Sequence, residues 1–120
     1  MNKNLTILVT GGRDYKNKER VKSTLDSFNN GPRIKKLVFG DAKGADTLAL
    51  EYAIENSIPY SLYKAQWDLF GLLAGPIRNT KMLNSNDVDM VVAFPGGKGT
   101  ANMIKQATDR GIVIFEVFNE

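Results

Sequence analysis

"DMVVAFPGGKGTANMIKQATDRG", Asp89 to Gly111, holds three kinds of structure in one line. Asp89 to Phe94 is an apolar run of strand length, and "FPGGKGT" (Phe94 to Thr100) then sets three glycines around Lys98. Thr100, Met103, Ile104 and Ala107 recur on one helical face, and Gly111 closes that helix. A strand that feeds a helix through a glycine loop leaves backbone N–H groups unpaired at the positive helix end, where a phosphate is readily held. Glycine lets the ligand oxygens approach the backbone, because it has no Cβ and accepts positive φ.

The same order of strand, turn and helix repeats on either side. "LTILVT" (Leu5 to Thr10) reads as a buried strand ended by Gly11 and Gly12, and Val21, Leu25 and Phe28 mark a helix that "NNGP" (Asn29 to Pro32) breaks. "KLVFG" (Lys36 to Gly40) is a second strand, and Ala45, Leu48, Ala49, Tyr52 and Ala53 form the stripe of a second helix. "IPYSLYK" (Ile58 to Lys64) is a third strand, and "AGPIRNTKMLN" (Ala74 to Asn84) a third helix with Pro76 in its first turn. "IVIFEVF" (Ile112 to Phe118) is the fifth strand. The pattern βαβαβαβαβ predicts one α/β domain over residues 1–120: a Rossmann-like three-layer fold with a five-stranded parallel sheet and helices on both faces. Right-handed crossovers give the order 3-2-1-4-5, which opens a crevice at the carboxyl ends of strands 1 and 4.

Composition narrows the chemistry. A chain of 120 residues buries roughly two thirds of its unfolded surface, enough for a core. It has no cysteine and no histidine, which excludes disulfides, thiol nucleophiles, Cys/His zinc sites and an imidazole base. We therefore expect no metal and no cofactor, and any catalysis would fall to carboxylates, Lys, Arg, Tyr or backbone amides. The net charge of +3 is spread over basic residues interleaved with acids, so no basic stripe points to nucleic acid. The start "MNKNLTILVTGG" has an apolar run of about five residues that ends in glycines, too short for a signal peptide or a membrane span, and the expectation is a cytoplasmic protein without a membrane partner.

In the expected topology "TGGRDY" (Thr10 to Tyr15) faces "FPGGKGT" across the crevice. Gly11, Gly12 and Arg13 come from the first loop, and Pro95, Gly96, Gly97, Lys98, Gly99 and Thr100 from the second. "GDAKGAD" leaves strand 2 beside them with Gly40, Asp41, Lys43, Gly44 and Asp46, and "AGPIRN" brings Arg78 and Asn79. Any one of these turns is what an ordinary βα connection requires. Four at one end of a sheet make a ligand site. Read alone, Lys43 and Lys98 are solvated charges, and Trp67 is a core or lid anchor. Arg13 lies in a glycine-rich turn and Arg78 in a first helical turn, both beside the crevice. Asp14 and Asp46 are placed either to cap helices or to hold ribose hydroxyls.

Two familiar phosphate signatures fail. A Walker loop requires Ser or Thr after its lysine, but Gly99 follows Lys98, and the dinucleotide fingerprint lacks its third glycine because Asn102 stands there. Instead, "GGRDY", "GDAKGADTLALEYA", Trp67 with "GLLAGPIRNTKML", and "DMVVAFPGGKGTANMIKQA" resemble, in order and over nearly the whole chain, the SLOG superfamily of Rossmann-like nucleotide-binding proteins. The resemblance is nearest to the YspA-like, cpYpsA-related branch found in bacteria and phages, distant kin of the Lonely Guy phosphoribohydrolases and of DprA.

The Lonely Guy hallmark is P-G-G-x-G-T-x-x-E, with an arginine before the fourth strand completing a catalytic pair. Here Pro95, Gly96, Gly97, Gly99 and Thr100 match, Arg78 looks like the arginine, and Met103 occupies the glutamate position. A thioether moves no proton, and loss of the carboxylate would forfeit general acid/base help of about 10²- to 10⁴-fold. If the chain is an enzyme, an N-glycoside hydrolase of nucleotides, Asp14, Asp41 or Asp46 must act with Arg78. The first expectation is a sensor or sequestering protein for a nucleotide-derived small molecule, related to NAD or ADP-ribose or a signalling nucleotide. Single-stranded nucleic acid is the third reading. The resemblance also implies a homo-oligomer, and "WDLFGLLAG" (Trp67 to Gly75) is apolar enough to be either a lid on its own sheet or a subunit contact.

Overall fold

The computed structural model describes residues 4–30 and 33–118. Gly31 and Pro32, half of the expected helix break, lie outside the described residues. The elements are β1 (Leu5–Thr10), α1 (Lys18–Asn29), β2 (Ile34–Gly40), α2 (Ala45–Glu55), β3 (Tyr60–Tyr63), α3 (Trp67–Phe70), α4 (Ala74–Asn84), β4 (Met90–Ala93), α5 (Lys98–Asp109) and β5 (Val113–Glu116).

The strands form one sheet in the order β3-β2-β1-β4-β5, and every pairing is parallel. β1 is central because its side chains are apolar on both faces, and the alternation of a strand divides them. Ile7 and Val9 point to the side covered by α1 and α2, where they join Leu37, Phe39, Val21, Leu25, Ala49 and Tyr52. Leu8 points to the other side, where it meets Val38, Met82, Leu83, Val91, Met103 and Ala107 under α4 and α5. Two helices on each face make the expected three-layer fold.

The differences from the sequence reading sit at its edges. β2 begins at Ile34 rather than Lys36, since Ile34 pairs with Leu5 and is buried despite the two lysines that follow. The outer strands β3 and β5 are only four residues long, with ends trimmed as sheet edges often are. The segment after β3 is not a plain connection: α3 gives way at Gly71 (φ +55°) to a 3₁₀ turn, Gly71–Leu73, that runs into α4. Leu69, Leu72 and Leu73 of this stretch are exposed, Leu72 by 93%, so they do not pack as a lid on their own sheet.

Candidate functional site

The carboxyl ends of β1, β2 and β4 point the same way, and the loops that leave them are tied together at Gly12. Its N–H donates to the Pro95 carbonyl (2.9 Å), while its carbonyl accepts from the Ala45 N–H (3.1 Å) and the Tyr15 N–H (3.2 Å). Phe94 N–H also donates to the Thr10 carbonyl at 2.9 Å. The α2 side of this junction requires glycine at 44, where φ is +79° and a Cβ would run into the Gly12 carbonyl and Arg13.

Gly44 and Gly97 are the N-cap residues of α2 and α5, and neither supplies a side chain to cap its helix. The Ala45 N–H of α2 is taken by the Gly12 carbonyl, so the first N–H groups of α5 are the ones left for another acceptor. A crevice of about 300 Å³ lies against them. Gly11, Gly12 and Arg13 line it from the β1 loop, Asp46 from α2, Arg78 and Asn79 from α4, and residues 97–100 from the start of α5. Thr10, Ala42, Trp67 and Gly75 complete the wall.

Ten of the fifteen ligand-binding residues expected from sequence thus line one cavity, and five do not. Pro95 and Gly96 support it, through the Pro95 carbonyl bond and by Gly96 packing against Thr100 and the Gly12 nitrogen. Gly44 holds the junction. Gly40 is the seat of Arg78: a Cβ there would collide with the guanidinium. Lys43 is an exposed side chain outside the lining. Trp67 is half-exposed on the rim, its ring against Gly75, rather than an anchor in the core. Its contact with the crevice depends on the unforeseen α3, and what marked it in the sequence was its place before "GLLAGPIRNTKML" in the family pattern.

Arg78 stands at the fifth position of α4, just past its first turn, and the helix runs from Ala74 to Asn84 as expected. Its Nε donates to Asn79 Oδ1 (3.1 Å), and its Nη1 reaches Asp41 Oδ1 and the Tyr63 carbonyl, both at the long distance of 3.4 Å. Asn79, 3% exposed, uses its own Nδ2 on the Gly99 carbonyl (3.3 Å) and Asn102 Oδ1 (3.1 Å). Its amide therefore couples the arginine to the α5 loop. Spacing alone did not show this, since the partners are 20 and 23 residues away.

The three candidate carboxylates separate. Asp14 is exposed and outside the crevice. Asp41 pairs with Arg78 and accepts from the Ala65 N–H at 3.3 Å. Asp46 alone lines the cavity, is 7% exposed, and accepts from the Ala42 N–H at 3.1 Å. Burial pushes its carboxyl up to about 6, against the opposing pull of the Arg78 charge and the Ala42 and Gly40 amides, with Asp41 adding to the rise. Met103 is fully buried under the sheet with Leu8, Val38 and Val91 and takes no part in the crevice wall.

A groove of about 270 Å³ between α1 and α2 has Lys18 already paired with Glu51 and Glu55. Among the described residues no group of three or more His, Cys, Asp or Glu side chains is arranged to hold a metal. No helix among them is long and apolar enough to cross a membrane.

Residues 5–70 match the family described as YspA, cpYpsA-related SLOG family (YAcAr). The chain belongs to that SLOG family. A similar curated protein is the Gene 61 protein of Mycobacterium phage D29, 31% identical over 116 residues that cover 90% of this chain and 92% of the phage protein. Among solved structures, the DNA processing protein A (DprA) of Streptococcus pneumoniae has the same fold, with a TM-score of 0.78 at 17% identity. The superposition covers 98% of this chain and 51% of DprA, so the SLOG chain spans about half the length of that protein. Membership of the SLOG family points to nucleotide- or nucleic-acid-related binding as the general class of function.

Proposed function

We propose that this SLOG protein binds a phosphorylated, nucleotide-derived small molecule in the crevice between β1 and β4 and acts as a sensor or sequestering protein, the whole chain serving as one nucleotide-binding domain. One observation carries the reading: Gly12 ties three loops together so that the uncapped start of α5 shares a cavity with Arg78 and with Asp46 of α2. The N–H groups at the start of α5 and the Thr100 hydroxyl hold the phosphate, and Arg78, with its forked guanidinium, neutralises it. Gly11, Gly12 and Arg13 meet the other end of the ligand. An NAD- or ADP-ribose-like compound, or a signalling nucleotide, has the right chemistry, and such compounds are met in the cytoplasm of a bacterium or of an infected host. Isothermal titration with ADP-ribose, cyclic ADP-ribose isomers, AMP and cyclic oligonucleotides tests the reading; absence of heat with all of them rejects it.

A second reading, N-glycoside hydrolysis, draws support from Asp46 beside Arg78 in the same cavity. Of the three aspartates it is the one that lines the cavity, and burial pushes its carboxyl up to about 6, toward the range in which a general acid works. Release of free base from nucleoside 5′-monophosphates or NAD, followed by chromatography, separates the readings. Activity that persists in Arg78→Ala removes the arginine from the mechanism. We also propose a homo-oligomer joined through the segment Trp67 to Gly75, in which Leu69, Leu72 and Leu73 are exposed. Light scattering tests this, and a monomer at high concentration rejects it.

A further inference from the structure

Arg78 is a wall with a cavity on each side. Beyond it, between the end of β3 and the outer side of α4, lies a second opening of about 350 Å³ in which Lys64 and Lys81 stand with the rings of Tyr63 and Phe70. No carboxylate lines it, whereas Asp46 lines the first crevice. Among the described residues neither lysine forms an ion pair; the paired lysines are Lys18, Lys22 and Lys105. Tyr63 is fixed at both ends, its carbonyl accepting from Arg78 Nη1 (3.4 Å) and its hydroxyl from Asn86 Nδ2 (3.1 Å). Phe70 is 38% exposed.

Resting on the reading of the crevice as a phosphate site, we propose that this opening is a second subsite, and that the ligand is a dinucleotide-like molecule whose second phosphate-bearing nucleoside passes Arg78 to reach it. Lys64 and Lys81, without an ion pair among the described residues, together with Arg78, which Asp41 holds only at 3.4 Å, suit a phosphate, and a planar base finds an aromatic face in Phe70. One guanidinium bordering both cavities lets a single side chain meet both phosphates. A mononucleotide held in the first crevice leaves this cationic opening unused.

The test compares AMP with the 5′-phosphorylated dinucleotide pApA and a fifteen-nucleotide oligothymidylate, by titration against the full chain and its Lys64→Gln/Lys81→Gln variant. Both lysines are exposed, so the variant retains the fold. We expect pApA to bind at least about tenfold tighter than AMP, and the double variant to lose that gain while its AMP affinity is unchanged. Equal affinity for AMP and pApA, or a pApA advantage that survives the double substitution, overturns the second subsite and leaves the phosphate crevice standing. If neither AMP nor pApA binds, the second subsite is overturned, and the crevice reading is then decided by the titrations with ADP-ribose, cyclic ADP-ribose isomers and cyclic oligonucleotides. Affinity that keeps rising from two nucleotides to fifteen overturns the proposal in favour of a nucleic-acid track.

Discussion

Asp46→Asn raises stability at pH 8 and removes a downward slope of stability with pH. The carboxyl is 7% exposed, and burial lifts it from 3.8 to about 6 in spite of Arg78 and the two backbone amides that favour its charge. The folded value lies above the unfolded one, so between about pH 4 and pH 6 the folded protein holds a proton that the unfolded chain releases. The contribution of this group is therefore fully present below about pH 4 and is lost as the pH rises through 6. A separation of about two units corresponds to about 3 kcal/mol between the ends of that window. Asparagine retains an oxygen for the Ala42 N–H but gives up the attraction to Arg78, which reduces the net gain at pH 8 to about 1–2 kcal/mol. Urea unfolding followed by circular dichroism at pH 4.5 and 8 measures both quantities. Subtracting the variant's curve from that of the parent removes shared titrations, including that of Asp26, which the Tyr52 hydroxyl and Lys22 hold below its ordinary value. A variant less stable than the parent at pH 8, with a parent that gains stability from pH 4.5 upward, would show that Asp46 is a net favourable charge and refute the reasoning.

Met103→Glu restores the hydrolase carboxylate in sequence but buries it at a fully enclosed position, so the melting temperature falls, with a cost of about 3 kcal/mol or more, and no base-releasing activity appears. Gly96→Ala forces a Cβ against Thr100 Oγ1 and within 2.6 Å of the Gly12 nitrogen; thermal melts report a loss of about 1–3 kcal/mol, and AMP affinity drops with it. Asn79→Ala leaves the Gly99 carbonyl and Arg78 Nε without their partner, which costs about 1–3 kcal/mol in urea unfolding. The same variant weakens AMP binding, and a double-mutant cycle with Arg78→Ala shows the two losses to be non-additive.

The sheet was legible because its strands carry apolar residues on both faces and its turns carry glycine, so the order of elements followed from pattern alone. The stripe of Thr100, Met103, Ile104 and Ala107 announced α5, and residues 103 and 107 lie buried as that stripe requires. The segment from Trp67 to Leu73 was opaque, since its five large apolar side chains look like core while most of their surface stays outside it. Within the crevice, glycines and Arg78 could be read from local chemistry. The coupling role of Asn79, the choice of Asp46 over Asp14, and the second face of Arg78 depend on contacts between elements far apart in the chain, which no local pattern encodes.

Gly12 binds three loops through one residue, and this limits how the crevice can move. Shifting the β4 loop breaks the bond to Pro95, and shifting the start of α2 breaks the bond to Ala45; both strain the same residue. The mouth of the site therefore opens as a unit or stays shut. On the proposed reading, a crevice built this way would select its ligand by shape, because little of the binding energy would be spent on ordering the walls. The amides of Gly12 and Ala45 should accordingly exchange with solvent at a common rate, set by one concerted opening.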